Sequence, residues 1–249
     1  MCTLRKLGNV YILTLTGEED HRLIPSLVDS ISAALQQIRS ETTARSSPCV
    51  ALITTGEGKF FTNGGDIAWA QSDKNKILLM MSKIRCLLVD FMSLPMPTIA
   101  AVNGHVSATG YLLALCHDYV LMRKDRGFLY MNELDNGVVL TATYFRAVLR
   151  AKISSPSVWR DVVLKAEKMT AERAVEKGII DAAYDTVEET VAAAVELGEQ
   201  LVKRNWNGKV YAENRKILFH DVLHELNVVE TDEMLRISRL PVEEVKSRL

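Results

Sequence analysis

The chain has 249 residues, 48% of them apolar and 24% charged, with a formal net charge of −1. That length supports a sizeable buried core, and the near-zero charge excludes a global field that would draw the chain onto nucleic acid or an anionic membrane. No apolar run reaches the ~18 residues needed to span a bilayer, and the opening "MCTLRKLGN" holds no apolar signal segment. Four scattered cysteines, Cys2, Cys49, Cys86 and Cys116, make no CxxC pair and are read as buried free thiols in a reducing compartment.

In chain order, "NVYILTLT" alternates as a half-buried strand does, and "IPSLVDSISAALQQIRS" places Leu27, Ile31 and Leu35 on one helical face. "CVALITT" is a buried strand followed by the turn "GEGKF". "KILLMMSKIRCLLVDFMSL" is a long helix stopped by "PMP". "TIAAVNG" is a further strand, "GYLLALCHD" a helix, and "YVLMR" and "FLYMNE" two strands. This β/α alternation predicts a mostly parallel sheet with helical crossovers. After Gly137 the pattern turns helical. "SSPSVWRDVVLKAE" opens with Ser155 as N-cap and Pro156 at the first helical position. "TAERAVEKG" is a short helix stopped at Gly178, "IIDAAYD" a last strand, and "TVEETVAAAVELGEQLVKRN" begins with a capping box from Thr186 to Glu189. Only helices follow, which sets a boundary near residue 185 between a core (1–185) and a C-terminal helical region (186–249).

Several short patterns have plainer readings than the chemistry they suggest. "TTGEGKF" lacks the full phosphate-loop pattern, with Phe60 where a hydroxyl residue belongs, and is read as a turn after a strand. His220 and His224 sit four apart as zinc ligands do, but no third ligand is evident, so an exposed or interfacial helix face is expected. Ser107 has His105 and His117 nearby in sequence but no G-x-S-x-G elbow. "KRNWNGKVYAENRK" mixes basic residues with Trp206 and Tyr211, and is read as a solvated helix face rather than a nucleic-acid site.

Two stretches carry more. "FFTNGGDIAWA" follows the strand "CVALITT", and "PTIAAVNGHVSATGYLLALCHD" is a strand, a small-residue turn and a helix. Adjacent glycines let a backbone approach a ligand closely, and two such turns facing one another make an oxyanion hole. A third stretch, "YMNELDNG", ends a strand in Glu133, a carboxylate that is costly to bury unless it is paired or working. Donors for a developing negative oxygen together with a base suit removal of a proton next to a carbonyl. The alternative is three ordinary turns of an α/β fold.

The stretches "GKFFTNGGDIAWAQ", "LPMPTIAAVNGHVSATGYLLALCHDYVLMRKDRGFLYMNELDNG" and "AVEKGIIDAAYD" resemble the crotonase (enoyl-CoA hydratase/isomerase) superfamily, and most of all its plant peroxisomal Δ3,Δ2-enoyl-CoA isomerases. The similarity covers about residues 5 to 205. It implies a spiral of ββα units followed by a C-terminal helical region used in a homotrimer or a dimer of trimers. It also implies an acyl-CoA thioester substrate, with CoA arriving as part of that substrate and no metal or other cofactor. By the same resemblance, the first motif, Asn63-Gly64-Gly65-Asp66-Ile67, binds substrate and supplies one oxyanion donor from Gly65. The second donor falls on Thr109, in a turn, Ala108-Thr109-Gly110, that is usually three glycines. Hydratases of the family use two glutamates; here one position holds Leu112, an apolar side chain expected to keep water off the reacting carbons, and the other holds Glu133. Single-glutamate members are isomerases, so the resemblance implies conversion of a 3-enoyl-CoA to a trans-2-enoyl-CoA in fatty acid β-oxidation. A hydratase, another acyl-CoA reaction and a non-catalytic RNA-binding homologue remain as alternatives. The closing Ser247-Arg248-Leu249 differs from the peroxisomal address S-K-L by one basic residue, which implies an import receptor as partner and a peroxisomal location.

Overall fold

The structure is a computed structural model, and it describes residues 1–42, 49–71 and 73–229. The chain opens with strands β1 (Cys2–Leu7) and β2 (Val10–Leu15), then helix α1 (Pro25–Thr42), β3 (Ala51–Gly56), β4 (Phe60–Thr62), α2 (Ile67–Gln71) and α3 (Lys74–Met92). It continues through β5 (Thr98–Val102), β6 (His105–Ser107), α4 (Thr109–Leu115), β7 (Tyr119–Arg123) and β8 (Leu129–Tyr130). Helices α5 (Thr143–Lys152) and α6 (Pro156–Trp159) follow, then a π-helical turn (Arg160–Leu164), α7 (Ala171–Glu176), β9 (Ala182–Tyr184), α8 (Val187–Val202), α9 (Gly208–Leu218) and α10 (His220–Leu226).

Six strands form one sheet in the order β1-β2-β3-β5-β7-β9, antiparallel at the first pair and parallel thereafter. Every residue of β3 and β5 is buried because the sheet is covered on both faces. Successive side chains alternate between those faces. Leu13, Leu52, Ala100 and Met122 point into the large core shared with α1, α3 and α4, whereas Ile12, Ile53, Ile99 and Leu121 meet α8 through Ala194 on the other side. Thus α8, the first helix after residue 185, is a layer of the main sheet.

A second sheet, β4-β6-β8, is small and parallel, and it is what positions the site. Its strands are two or three residues long. Sequence periodicity cannot register so short a run, and β4 and β6 are absent from the sequence reading for that reason. "FLYMNE" is corrected to the two residues of β8, so Glu133 lies beyond the strand in a turn.

The cap at Thr186 forms with a shift: Thr186 Oγ1 accepts the Glu189 N–H (3.2 Å), but Glu189 reaches back to the Asp185 N–H (3.0 Å). Ser155 stands at the N-cap position without a side-chain cap bond, and the helix it starts passes after one turn into the π-helical segment. The cysteines are free, but only Cys116 is buried and Cys86 is exposed. Most of the stretch around Trp206 is exposed, as the solvated-face reading expects, but Arg215 departs from it. Arg215 is 4% exposed, donates to the carbonyls of Leu94 and Met96 (both 2.9 Å) and pairs with Asp118, to which Tyr211 also donates (3.0 Å). These buried charge-assisted bonds tie α9 to the body of the chain. No helix among the described residues is long and apolar enough to cross a membrane. Ser247-Arg248-Leu249 lies outside the described residues.

Candidate active site

Each strand of the small sheet runs into one loop, and parallel pairing puts the three loops at the same edge. After β4, Thr62 Oγ1 donates to the His21 carbonyl (2.7 Å) and accepts the Gly64 N–H (3.2 Å). Asn63 accepts from Ser107 Oγ (2.6 Å) and donates to Asp20 (3.2 Å). Gly64 turns at φ +72°, and a Cβ there would sit 2.9 Å from the Ser107 carbonyl oxygen. Both facts require glycine. Asp66 accepts the Trp69 N–H (3.0 Å) and so starts α2.

After β6 comes Ala108, at φ +51° and ψ −127°, a conformation that glycine holds freely and alanine holds under strain. It is fixed on one side by its N–H bond to the Tyr130 carbonyl of β8 (3.2 Å). On the other side Gly110 packs against β4, where a Cβ would lie 2.6 Å from Thr62 Cγ2 and 2.8 Å from the Thr62 carbonyl oxygen. Only a glycine lets these two backbones touch. Thr109, between them, opens α4, and its N–H makes no hydrogen bond among the described residues.

After β8, residues 133 to 137 form a turn. The Glu133 carbonyl accepts from the N–H groups of Asn136 (3.2 Å) and Val138 (2.8 Å), and Gly137 closes the turn at φ +65°. The Glu133 side chain is 8% exposed and its Oε2 has no hydrogen-bond partner. Burial pushes its pKa up to about 7, and no neighbouring charge contributes to that shift.

The three loops enclose a cavity of about 180 Å³. Gly65, Ile67, Thr109 and Glu133 line it, and Met80 and Ile84 of α3 supply apolar wall together with residues 138–142. Asn63, Gly64 and Asp66 are not in the lining; their polar groups hold the loop in shape. Glu133 is the one carboxylate in the lining among the described residues. Leu112 was expected to wall off the reacting carbons. It instead lies fully buried in the core, outside the cavity lining. The apolar wall comes from α3 and from the segment after Gly137, which no motif marks in the sequence.

The other candidate groups are engaged elsewhere. His117 is buried against Thr54 (2.8 Å) and the Leu113 carbonyl (3.0 Å), and His105 lies between the rings of Phe60 and Phe128, tilted to both. His220 faces Asp221 at 3.3 Å, and no group of three metal-ligating side chains occurs among the described residues.

Comparison with known proteins decides the family. The enoyl-CoA hydratase/isomerase family pattern matches residues 8–235. The chain belongs to that family. Enoyl-CoA delta isomerase 1, peroxisomal, of Arabidopsis thaliana is 51% identical over 223 residues, which cover 90% of this chain and 91% of that protein. Enoyl-CoA delta isomerase 3 of the same plant is 47% identical, covering 89% and 93%. Family members of known structure share the fold at low identity. A probable enoyl-CoA hydratase from Mycobacterium tuberculosis has a TM-score of 0.83 at 18% identity, with 99% of each chain covered. A family protein from Pseudomonas syringae has a TM-score of 0.83 at 22% identity, with 95% and 97% covered. The crotonase-type fold and its helical C-terminal region are therefore those of this chain.

Proposed function

We propose that the protein is a Δ3,Δ2-enoyl-CoA isomerase working with one carboxylate. The observation that carries this reading is Glu133. It is buried, its Oε2 has no partner, and it shares an apolar cavity with the Gly65 and Thr109 backbone but with no second carboxylate among the described residues. The names of the Arabidopsis relatives agree with it.

A 3-enoyl-CoA binds with its thioester oxygen at the N–H groups of Gly65 and Thr109. Glu133 takes a proton from C2, which is acidic because the resulting charge spreads over the thioester and the double bond. The dienolate oxygen is held by the two N–H groups, each worth roughly 3–4 kcal/mol in sites of this type. Glu133 then returns the proton at C4. A carboxyl near pH 7 suits both halves, since it neither refuses the proton nor keeps it. Substrate and product have the same atoms and oxidation level, so the shift calls for no metal or redox cofactor, and CoA comes with the substrate. Asn63, Gly64 and Asp66 serve substrate binding by shaping the loop that carries Gly65 and Ile67. Incubating purified protein with a 3-enoyl-CoA and following formation of the conjugated 2-enoyl-CoA tests the reading; absence of conversion overturns it.

Location and assembly extend the proposal. The Arabidopsis relative at 51% identity is named peroxisomal, and the last three residues are a near match to a receptor-read address. Deleting Ser247–Leu249 is expected to leave a tagged protein in the cytosol with its activity intact. Peroxisomal import of the truncated chain in cells lacking the full-length protein contradicts the address. The helices after residue 185 are proposed to serve a homotrimer or a dimer of trimers. On α9, Val210, Ile217 and Leu218 are 59%, 75% and 74% exposed, more apolar surface than a short solvent-facing helix needs. Light scattering at micromolar concentration is expected to give three or six chains per particle, and a stable monomer contradicts it.

A further inference from the structure

The Gly65 N–H has a hydrogen-bond partner within the chain. Thr109 Oγ1 accepts it at 2.8 Å. That hydroxyl is wedged between the two loops, 3.1 Å from where a Gly64 Cβ would stand. We infer that the Thr109 side chain is an internal ligand of the oxyanion hole, holding the Gly65 N–H until a thioester oxygen displaces it. The inference rests on the proposed function, because the displacing oxygen is that of an acyl-CoA.

One N–H makes one strong, nearly linear hydrogen bond. The thioester oxygen and the threonine hydroxyl therefore compete for the same hydrogen, and the hydroxyl yields by a rotamer change about the Thr109 Cα–Cβ bond. A neutral thioester gains little in the exchange, since one neutral hydrogen bond replaces another. The dienolate gains more, because hydrogen bonds to an ionised acceptor are about twice as strong. Displacing the hydroxyl costs the same in both states, so it weakens binding of substrate and dienolate alike, which raises KM and leaves kcat unchanged. Thr109 contributes a backbone donor to the hole, and its side chain is a positioning group that keeps the other donor occupied between turnovers.

The test is the affinity of a saturated acyl-CoA, which binds without reacting, for the wild type, Thr109→Ala and Thr109→Ser, measured by calorimetry. Loss of the competing acceptor is expected to tighten binding to Thr109→Ala by about three- to ten-fold, the range of one net hydrogen bond. Thr109→Ser keeps the hydroxyl and is expected to match the wild type within about two-fold. For Thr109→Ala, KM is expected to fall with affinity while kcat does not rise. Weaker or unchanged binding by Thr109→Ala overturns the inference: weaker binding marks the hydroxyl as a support for the loop or as a third donor to the ligand. Should Thr109→Ala fail to fold, hydrogen exchange at the Gly65 amide of the free wild type decides. Protection in the absence of ligand supports the internal bond, and exchange at the rate of an open amide overturns it. Failure of the wild type to bind any acyl-CoA would instead refute the proposed substrate, and the Gly65 exchange would still report on the hydroxyl.

Discussion

Glu133→Gln is expected to lower the isomerase kcat by about 10²–10⁴-fold while changing the affinity for a saturated acyl-CoA less than three-fold. The amide keeps the size of the side chain and its place in the cavity but cannot shuttle a proton. No other carboxylate lines the cavity among the described residues, so none stands ready to replace it. In the wild type the base form is needed to start the reaction. kcat/KM is therefore expected to rise with pH up to a plateau above about 7, where burial places the Glu133 pKa. Stopped-flow or steady-state assays of both proteins across this range check the result. Near-normal turnover by Glu133→Gln contradicts the assigned role.

The same substitution is expected to stabilise the fold above pH 7. Burial raises the Glu133 pKa from 4.5 to about 7. A carboxyl whose pKa is raised on folding binds its proton more tightly in the folded chain. Its stabilising effect is fully present below the unfolded value near 4.5 and is lost as pH climbs through the folded value near 7. A rise from 4.5 to about 7 corresponds to roughly 3–3.5 kcal/mol at most, which the wild type gives up in order to hold an ionised base without a partner. Gln carries no charge, so whatever its burial costs does not change with pH over this range. Glu133→Gln is therefore expected to melt several degrees higher than the wild type at pH 8, with the gap closing toward pH 5, in thermal scans at one protein concentration. An equal gap at both pH values contradicts the account.

The main sheet was largely legible from the sequence because β2, β3, β5 and β7 are five or six residues long and carry apolar runs or alternation. The small sheet was not, because β4, β6 and β8 are too short for any period to appear. Its products were still marked. Gly64 is required by its positive φ and by close backbone contact, Gly110 by close contact alone, and such glycines stand out in a sequence. Glu133 stood out as a carboxylate inside an apolar stretch. Leu112 shows where the reasoning ran short. The resemblance implied a cavity wall at this position, but Leu112 is fully buried in the core and outside the cavity lining. The residues that do form the wall, Met80, Ile84 and the segment after Gly137, belong to apolar stretches with no distinguishing pattern. Arg215 was misread for a related reason: a basic residue in a basic stretch gives no sign that backbone carbonyls from the turn after α3 await it.

The central claim is that one carboxylate in an apolar pocket moves a proton and does not activate water. Its most direct test compares two reactions of the same purified protein at equal concentration: isomerisation of a 3-enoyl-CoA, and hydration of the matching trans-2-enoyl-CoA, the latter followed as the mass gain of one water. Hydration in this family uses a second carboxylate to hold and deprotonate a water at C3, and the lining holds no second carboxylate among the described residues. The account predicts isomerisation at least about 10²-fold faster than hydration, the lower range of what a general base contributes. Hydration as fast as isomerisation would contradict it.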